Sequence, residues 1–290
     1  MSKYAEYLET TVRAEDIVWS LNPFELDDTF RVAAVMQMFD ALGLIKRFCV
    51  PRNKLTAFVI KCRDSYRPEN AFHNWCHAWS VTHCAYMIMT STQVHRFLQA
   101  NEILSILISC LVHDIDHPGV NSDYLIKTGS ALALKFPYRN VLEHMHWFNA
   151  KKLFQEDCDT DFLENVTPGV KEEILLLVHE GIMATDMQNH KAIVESLNAR
   201  CRRAEAAGQE AGEDGGQRAE TEGHTEAGEG GGKDREGLYS TSYAMVYDIH
   251  DPADRLELLQ VYIVQSLSLS LSLSLSLSLS YMVRSFARVD

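Results

Sequence analysis

The chain has 290 residues, a formal net charge of −13 and a hydrophobic share of 46%. That share is ordinary for a soluble protein with a buried core, whereas the negative charge disfavours nucleic acid or acidic lipid as a partner. No run of about 18 apolar residues predicts a membrane span, and the first residues lack the basic and apolar regions of a signal peptide, so we expect a cytoplasmic protein.

Residues 1–203 carry helical periodicity, with short Pro-, Gly- or Asn-containing joints between the periodic segments. Predicted helices cover residues 29–48, 54–66, 73–90, 101–114, 140–154 and 169–187. The run 103–112 is apolar almost all round, which is typical of a central, buried helix. Because alternating strands and hairpin turn signals are missing here, the pattern predicts an all-α fold, a compact multi-helix bundle.

The composition changes after residue 203. Residues 204–237 are rich in Glu, Gly and Ala and are predicted to be disordered, since such a segment cannot bury enough apolar surface to offset its ordering entropy. Residues 238–265 are predicted to contain a helix. Residues 266–290 form a tail that begins with a Ser-Leu repeat. Its period of two suits an amphipathic strand, but a translated TC-dinucleotide repeat, and hence an artefact of the gene model, explains the same pattern.

Two histidines open the first candidate functional segment. His73 and His77 lie four residues apart, a spacing that places both imidazoles on one face of a helix. Asn74 stands where a zinc protease of the HExxH type has its glutamate, so this pair needs further partners to indicate a metal site.

The second segment follows the central apolar run. His113 and Asp114 end that run, and Asp116 and His117 come directly after it. A polar helix terminus is the alternative interpretation. We favour a binding site, because a buried imidazole and a buried carboxylate are costly unless they bind something.

Two more helices offer similar side chains. Glu143, His144 and His146 lie on the helix 140–154, and Thr185 and Asp186 end the helix 169–187. Singly, such residues are usually helix caps or surface residues. Together, the four helices could supply a dinuclear metal site inside a bundle. Imidazole and carboxylate suit Zn²⁺, Mn²⁺ or Mg²⁺, a pair of such ions supports phosphate-ester hydrolysis, and an unligated histidine can protonate the leaving oxygen.

Four motifs follow one another in an order that is specific to one protein family: YRPENAFHNWCHAWSV (66–81), HDIDHPG (113–119), LEHMH (142–146) and ATDM (184–187). With them the chain resembles the catalytic domain of the class I 3′,5′-cyclic nucleotide phosphodiesterases, over residues 16–200 and faintly over 252–265. The resemblance implies a helical bundle of the HD-type metal phosphohydrolase kind. It also implies two divalent ions, Zn and Mg (or Mn), and hydrolysis of cyclic AMP, cyclic GMP or both to nucleoside 5′-monophosphates in signal transduction.

The resemblance also implies roles for individual residues. His73 matches the general acid that protonates the O3′ leaving group. His77, His113 and Asp114 match ligands of the zinc-like site, and Asp114 also matches the bridge to the second ion. The shell that orients the waters of the second ion is matched by His117, Glu143, Thr185 and Asp186. Tyr66 matches a tyrosine at the rim of the substrate pocket.

The chain departs from the family pattern at its C-terminal end. The fourth zinc ligand of the family is an aspartate, and its slot falls near Ser268, inside the Ser-Leu repeat. The segment that holds the purine is also absent, so we expect a catalytic domain truncated in its C-terminal third. Two alternatives to an active phosphodiesterase therefore stay open, an inactive truncated or mispredicted product and another HD-type metal phosphohydrolase. Nucleotide preference and oligomeric state are left open as well.

Overall fold

The computed structural model describes residues 7, 10–91, 98–136, 139–155, 158–189, 191–196, 198–200, 202–203, 251–261, 263–264 and 266–270. Within these residues all regular structure is helical and no strand occurs, which confirms the predicted all-α fold. Among the helices in the same ranges, none has the length and hydropathy needed to span a membrane. The predicted disordered segment 204–237 and most of the Ser-Leu tail lie outside the described residues.

The described helices follow one another with short connections. After a 3₁₀ turn at Ala14–Asp16, they are α1 (Asp28–Ala41), α2 (Leu44–Arg47), α3 (Arg52–Asp64), α4 (Trp75–Ser91), α5 (Ala100–Val112), α6 (Ser122–Lys127), α7 (Ala131–Lys135), α8 (Val141–Gln155) and α9 (Pro168–Met183). A further stretch, called the C-terminal helix below, is helical over residues 252–261, 263–264 and 266–270.

The helix α5 is the centre of the bundle, as its apolar sequence predicts. Almost every side chain from residue 102 to 112 is buried, and α5 packs against α2, α3, α4, α8 and α9. Its two serines fit this interior because their hydroxyls donate to carbonyls of the preceding turn: Ser105 Oγ to Asn101 O at 2.7 Å and Ser109 Oγ to Ser105 O at 2.7 Å. No serine hydroxyl of this helix is therefore left unpaired in the core.

Small residues let α9 approach α5 closely. A Cβ atom added to Gly181 would lie 2.5 Å from Ser109 Oγ and 2.6 Å from Ile263 Cδ1. Gly181 therefore marks a point where α5, α9 and the C-terminal helix meet. This meeting point lies just before the end of α9 and one turn before the end of α5, where the candidate site residues follow.

The C-terminal helix lies along α5 in the same direction. Arg255 Nε and Nη2 donate to the two carboxylate oxygens of Glu102, at 2.7 and 2.5 Å, at the start of α5. Further along, Ile263 reaches the Gly181 contact beside Ser109. Because both helices advance by a similar number of residues between these contacts, the residues after Ile263 approach the end of α5.

The first residues of the Ser-Leu repeat continue this helix. Ser266 and Ser270 are buried, Leu267 packs against the main core and Ser268 is exposed. Residues 266–270 are helical and therefore do not form the strand that their period of two favours. The physical reason is that Ser266 and Ser270, four residues apart, share the inner helix face, where small side chains fit. The fourth-ligand slot near Ser268 stays a prediction.

Candidate metal centre

A tight turn at the end of α5 carries the central group of polar side chains. His113 is the C-terminal cap of α5, and the backbone N–H of His117 donates to Asp114 O at 3.1 Å. Asp116 has φ 60° and Gly119 has φ 79°, both in the left-handed region that lets the chain reverse. The turn thus presents His113, Asp114 and His117 beside the bundle, as predicted from the sequence.

The histidine pair at residues 73 and 77 is arranged differently from the prediction. The helix α4 begins at Trp75, so His77 lies on it and His73 precedes it. Asn74 explains this start, because its Oδ1 accepts from the His77 N–H at 3.2 Å and its carbonyl accepts from Ala78 N at 3.1 Å. The expectation that both imidazoles share one helix face is therefore wrong, although their ring centroids lie 6.2 Å apart.

One group of potential ligands consists of His77, His113 and Asp114, whose ligand atoms all lie within 4.8 Å of one another. Asp114 Oδ2 is 3.2 Å from His113 Nε2 and 3.5 Å from His77 Nε2. His113 Nδ1 donates to Cys110 O at 3.0 Å, so the neutral ring directs the free electron pair of Nε2 at the group. These three residues are the ones that the sequence predicts as ligands of the first ion.

A second group shares the same carboxylate and consists of Asp114, His117 and His146. His146 Nδ1 donates to Ile115 O at 2.8 Å, and its Nε2 lies 3.7 Å from Asp114 Oδ1. The neutral His146 ring therefore also presents a free electron pair to Asp114. His146 is among the side chains that the sequence offers to a dinuclear site, but neither spacing nor the family resemblance gives it an individual role. Its place three residues after Glu143, on the same helix face, is the available signal.

His117 is held in the opposite tautomer. Its Nδ1 accepts a hydrogen bond from the Gly119 N–H at 3.0 Å, so in the neutral ring Nε2 carries the proton. A ring in this form donates a hydrogen bond to a water or an oxygen. The predicted place of His117 in the outer shell stays a prediction.

The electrostatics of the site favour an ionised carboxylate with neutral rings at His77, His117 and His146. The exception is His113: burial lowers its pKa, but attraction to Asp114 and its hydrogen bonds outweigh burial and raise the pKa above the ordinary value. Burial of Asp114 opposes its charge, but attraction to His113, His146 and His77 outweighs this and holds the pKa of Asp114 well below its ordinary value. Burial and the nearby His113 lower the pKa of His77 to about 3, and burial is the main reason that the pKa of His117 falls to about 4. Neutral imidazoles and a carboxylate are the protonation states that bind a cation.

The remaining predicted shell residues, Glu143, Thr185 and Asp186, belong to neither group. Burial, with Asp186 and Asp114 nearby, raises the pKa of Glu143 to about 7, and Glu143 Oε2 is buried with no hydrogen-bond partner among the described residues. Thr185 Oγ1 donates to Ile182 O at 2.7 Å, and Asp186 Oδ1 accepts from Gln188 N at 2.9 Å. Thr185 and Asp186 thus make local bonds at the end of α9, and neither belongs to the two groups.

His73 contacts the turn through His117, and Tyr66 contacts it through the backbone of Asp114. The ring of His73 stacks on that of His117, with centroids 3.9 Å apart and 9° between the planes. Tyr66 is buried; its hydroxyl donates to Leu111 O at 2.9 Å and accepts from the Asp114 N–H at 3.4 Å. The predicted substrate contact of Tyr66 stays a prediction, whereas its contact with the backbone of Asp114 is observed.

The donors of the two groups fit divalent cations. Each group combines imidazole with carboxylate, the ligand types of Zn²⁺ and of similar ions. His113 and His146 have their second ring nitrogen tied to a backbone carbonyl, as is usual for metal-ligating histidines. His77 Nδ1 is the exception, since it is buried with no hydrogen-bond partner in the described ranges. We therefore regard the two groups as one candidate metal centre with a shared carboxylate.

The chain is similar to known proteins in sequence. Residues 72–249 match the family model described as 3′5′-cyclic nucleotide phosphodiesterase. The chain is 32% identical over 168 residues to the dual 3′,5′-cyclic-AMP and -GMP phosphodiesterase 11A of Takifugu rubripes, which is 58% of this chain and 18% of the relative. It is 31% identical over 172 residues to the 3′,5′-cyclic-nucleotide phosphodiesterase regA of Dictyostelium discoideum, which is 59% of this chain and 22% of the relative.

The fold is also similar to a solved structure. The crystal structure of the phosphodiesterase domain of Salpingoeca rosetta rhodopsin phosphodiesterase superposes with a TM-score of 0.67 at 23% identity. The match covers 86% of this chain and 63% of that chain. At this identity the similarity concerns the fold, and the chain spans only about a fifth of the length of the two curated relatives.

Proposed function

Since the chain belongs to the 3′5′-cyclic nucleotide phosphodiesterase family, we propose that it hydrolyses cyclic AMP, cyclic GMP or both to nucleoside 5′-monophosphates. The single observation that carries the proposal is the shared carboxylate: Asp114 belongs to both three-residue groups. One carboxylate between two sets of imidazoles is the arrangement expected for two neighbouring cations. Zn at the group of His77 and His113, with Mg or Mn at the other, is part of the proposal.

The bound ions would supply Lewis acidity to the phosphoryl oxygens and lower the pKa of the attacking water. The protein residues would bind the ions and orient the reacting oxygens. His77, His113 and Asp114 would hold the first cation, and the other oxygen of Asp114 lies 3.7 Å from His146 Nε2. His117 donates from Nε2 to an oxygen in the site.

His73 is the proposed proton donor to the leaving O3′. Burial lowers the pKa of His73, although the nearby Asp114 raises it, so the ring is mainly neutral at pH 7 without substrate. An anionic phosphate beside the ring would raise the pKa of His73 again and supply it with the proton that it donates. No hydrogen bond of the His73 side chain occurs among the described residues, which leaves its ring nitrogens available to a ligand.

An inactive product is the second candidate, and one observation favours it. Among the described residues, the first group holds a single carboxylate, and the helical start of the Ser-Leu repeat supplies hydroxyl groups only. A site with fewer carboxylates binds divalent cations less tightly. Another HD-type metal phosphohydrolase, acting on nucleoside triphosphates, is the third.

The test is an assay of the purified full chain with cyclic AMP and cyclic GMP in the presence of Zn²⁺ with Mg²⁺ or Mn²⁺. We expect release of 5′-monophosphate, and a fall in kcat of roughly 100- to 10,000-fold in His73→Ala, the range for loss of a general acid. His144→Ala is the matched control, because His144 lies on α8 beside the site but in neither group.

Three results would contradict the proposal. Full turnover in His73→Ala would remove His73 from the mechanism. A wild-type chain that binds metal but hydrolyses deoxynucleoside triphosphates, and not cyclic nucleotides, would favour the other phosphohydrolase. A chain that retains no metal and hydrolyses neither substrate would establish the inactive product.

A further inference from the structure

Asn70 connects the two segments that carry the site, although it belongs to neither group. Its side-chain amide Nδ2 donates to the carbonyl oxygen of His117 at 2.8 Å and to that of His73 at 3.1 Å. Because only an NH₂ group can donate to two carbonyls, these partners also fix which end of the amide is the nitrogen. Asn70 thus joins the segment before α4 to the turn after α5.

The surroundings hold this amide in one position. Asn70 Oδ1 faces Gly119 so closely that a Cβ atom on Gly119 would lie only 2.8 Å from it. On its other side, the Asn70 carbonyl accepts from Asn74 Nδ2 at 2.9 Å, which ties Asn70 to the residue that caps α4. Asn70 therefore has a fixed contact with the start of α4 and with the end of the turn.

The ring of His73 depends on these contacts. In the described part of the chain its side chain makes no hydrogen bond, and it is held by its stack on His117 at 3.9 Å and by an edge contact with Phe72 at 5.0 Å. A stack can persist only if the two backbones stay at a fixed separation. The backbone carbonyls that Asn70 joins are those of the two stacked residues themselves.

We propose that Asn70 is a positioning residue, which sets the place of the His73 imidazole relative to the turn His113–Gly119 through its two hydrogen bonds. The catalytic consequence rests on the proposed function, whereas the effect on the stack of His73 and His117 does not. Asn70 binds neither substrate nor cation in this account. Its loss should leave the first group, His77, His113 and Asp114, intact and displace the proton donor.

The experiment compares the full chain with Asn70→Ala and Asn70→Asp. Asn70→Asp keeps the shape of the side chain and removes both N–H donors, so it remains informative if Asn70→Ala does not fold. Asn165→Ala is the matched control, since Asn165 Nδ2 also donates to a backbone carbonyl, that of Cys49 at 2.8 Å, at an exposed position. Circular dichroism and bound metal per chain establish that each variant is folded and loaded.

Two readouts then test the proposal. In ¹H–¹³C spectra at one fixed pH, we expect the ring-current displacement of the His73 imidazole signals to disappear in both Asn70 variants and to persist in Asn165→Ala. In the assay, we expect kcat to fall roughly 10- to 100-fold with KM and bound metal little changed, because a displacement of about 1 Å is enough for such a loss.

Each outcome bears on the proposal. Unchanged His73 signals in a folded Asn70 variant would overturn it, whatever the activity. Unchanged kcat alongside displaced signals would overturn the catalytic part. If the wild-type chain shows no turnover, the proposed function fails, while the spectra alone still decide whether Asn70 positions His73.

Discussion

His83 is a buried histidine on α4, six residues after His77, and its surroundings keep it neutral. Its ring stacks on Trp79 at 5.1 Å and meets the edge of Trp19 at 6.4 Å. Burial lowers the pKa of His83 to about 4, against a smaller opposite effect of the Val18 carbonyl. Between pH 6.5 and 4 the unfolded chain therefore binds a proton at residue 83 that the folded chain does not.

This difference predicts a pH dependence of stability. Stability rises with pH wherever the unfolded state binds more protons, so the contribution of His83 is lost as the pH falls from about 6.5 to 4. The lowering of the His83 pKa from 6.5 to about 4 corresponds to about 3 kcal/mol in free energy of unfolding. In metal-free protein, His83→Phe should reduce the fall in free energy of unfolding over this range by about that amount, as measured by urea unfolding at several pH values. An equal pH dependence in both proteins would contradict the prediction.

Single residues differ in how far the sequence could place them. His113, Asp114 and His117 were predictable, because their polar run follows an apolar helix directly. Tyr66 was not, since its hydroxyl bonds to Leu111 and Asp114 depend on two segments that are far apart in sequence. His73 was misplaced relative to α4 because an asparagine cap outweighed the helical spacing of the histidines.

At the scale of elements, the packing of α9 depends on the absence of a side chain at Gly181. Gly181→Ala would place a methyl group 2.5 Å from Ser109 Oγ and 2.6 Å from Ile263 Cδ1, so α5, α9 or the C-terminal helix must move. We expect a loss of about 1–3 kcal/mol in free energy of unfolding, the usual cost of overpacking.

Gly169→Ala provides the matched control on the same helix. A Cβ atom at Gly169 would meet nothing within 4 Å. Because alanine is the better helix former by up to about 1 kcal/mol, this change should be neutral or stabilising. Thermal and chemical unfolding of both variants measure the difference, and equal effects of the two substitutions would contradict the described packing.

The C-terminal helix shows why the period of apolar residues alone could not decide between helix and strand. Its first part, with Asp251 and the apolar residues Leu258 and Leu259, was predictable as a helix. Its last turn was not, because an alternation of Ser and Leu has the period of a strand. The helix continues there because Ser266 and Ser270 are buried and Leu267 packs against the main core, and tertiary contact overrides a local pattern.

At the scale of the whole molecule, the chain is a helical bundle, and its central helix α5 ends in the turn that carries the candidate metal ligands. The central apolar helix and the all-α architecture follow from composition and period, so the sequence was sufficient for them. The sharing of Asp114 between two groups, and the entry of His146 into the second, required the relative placement of α5 and α8. Sequence spacing carries no information on such a distance between helices.

The central claim is that Asp114 holds two cations together, and bound metal per chain tests it most directly. The purified full chain is dialysed against Zn²⁺ and Mn²⁺, freed of excess ions and analysed by mass spectrometry for metal, beside Asp114→Asn and the control Asp123→Asn, an exposed aspartate on α6. We predict two ions per chain in the wild type and in the control, and loss of both in Asp114→Asn. Two ions retained by Asp114→Asn, or none bound by the wild type, would contradict the account.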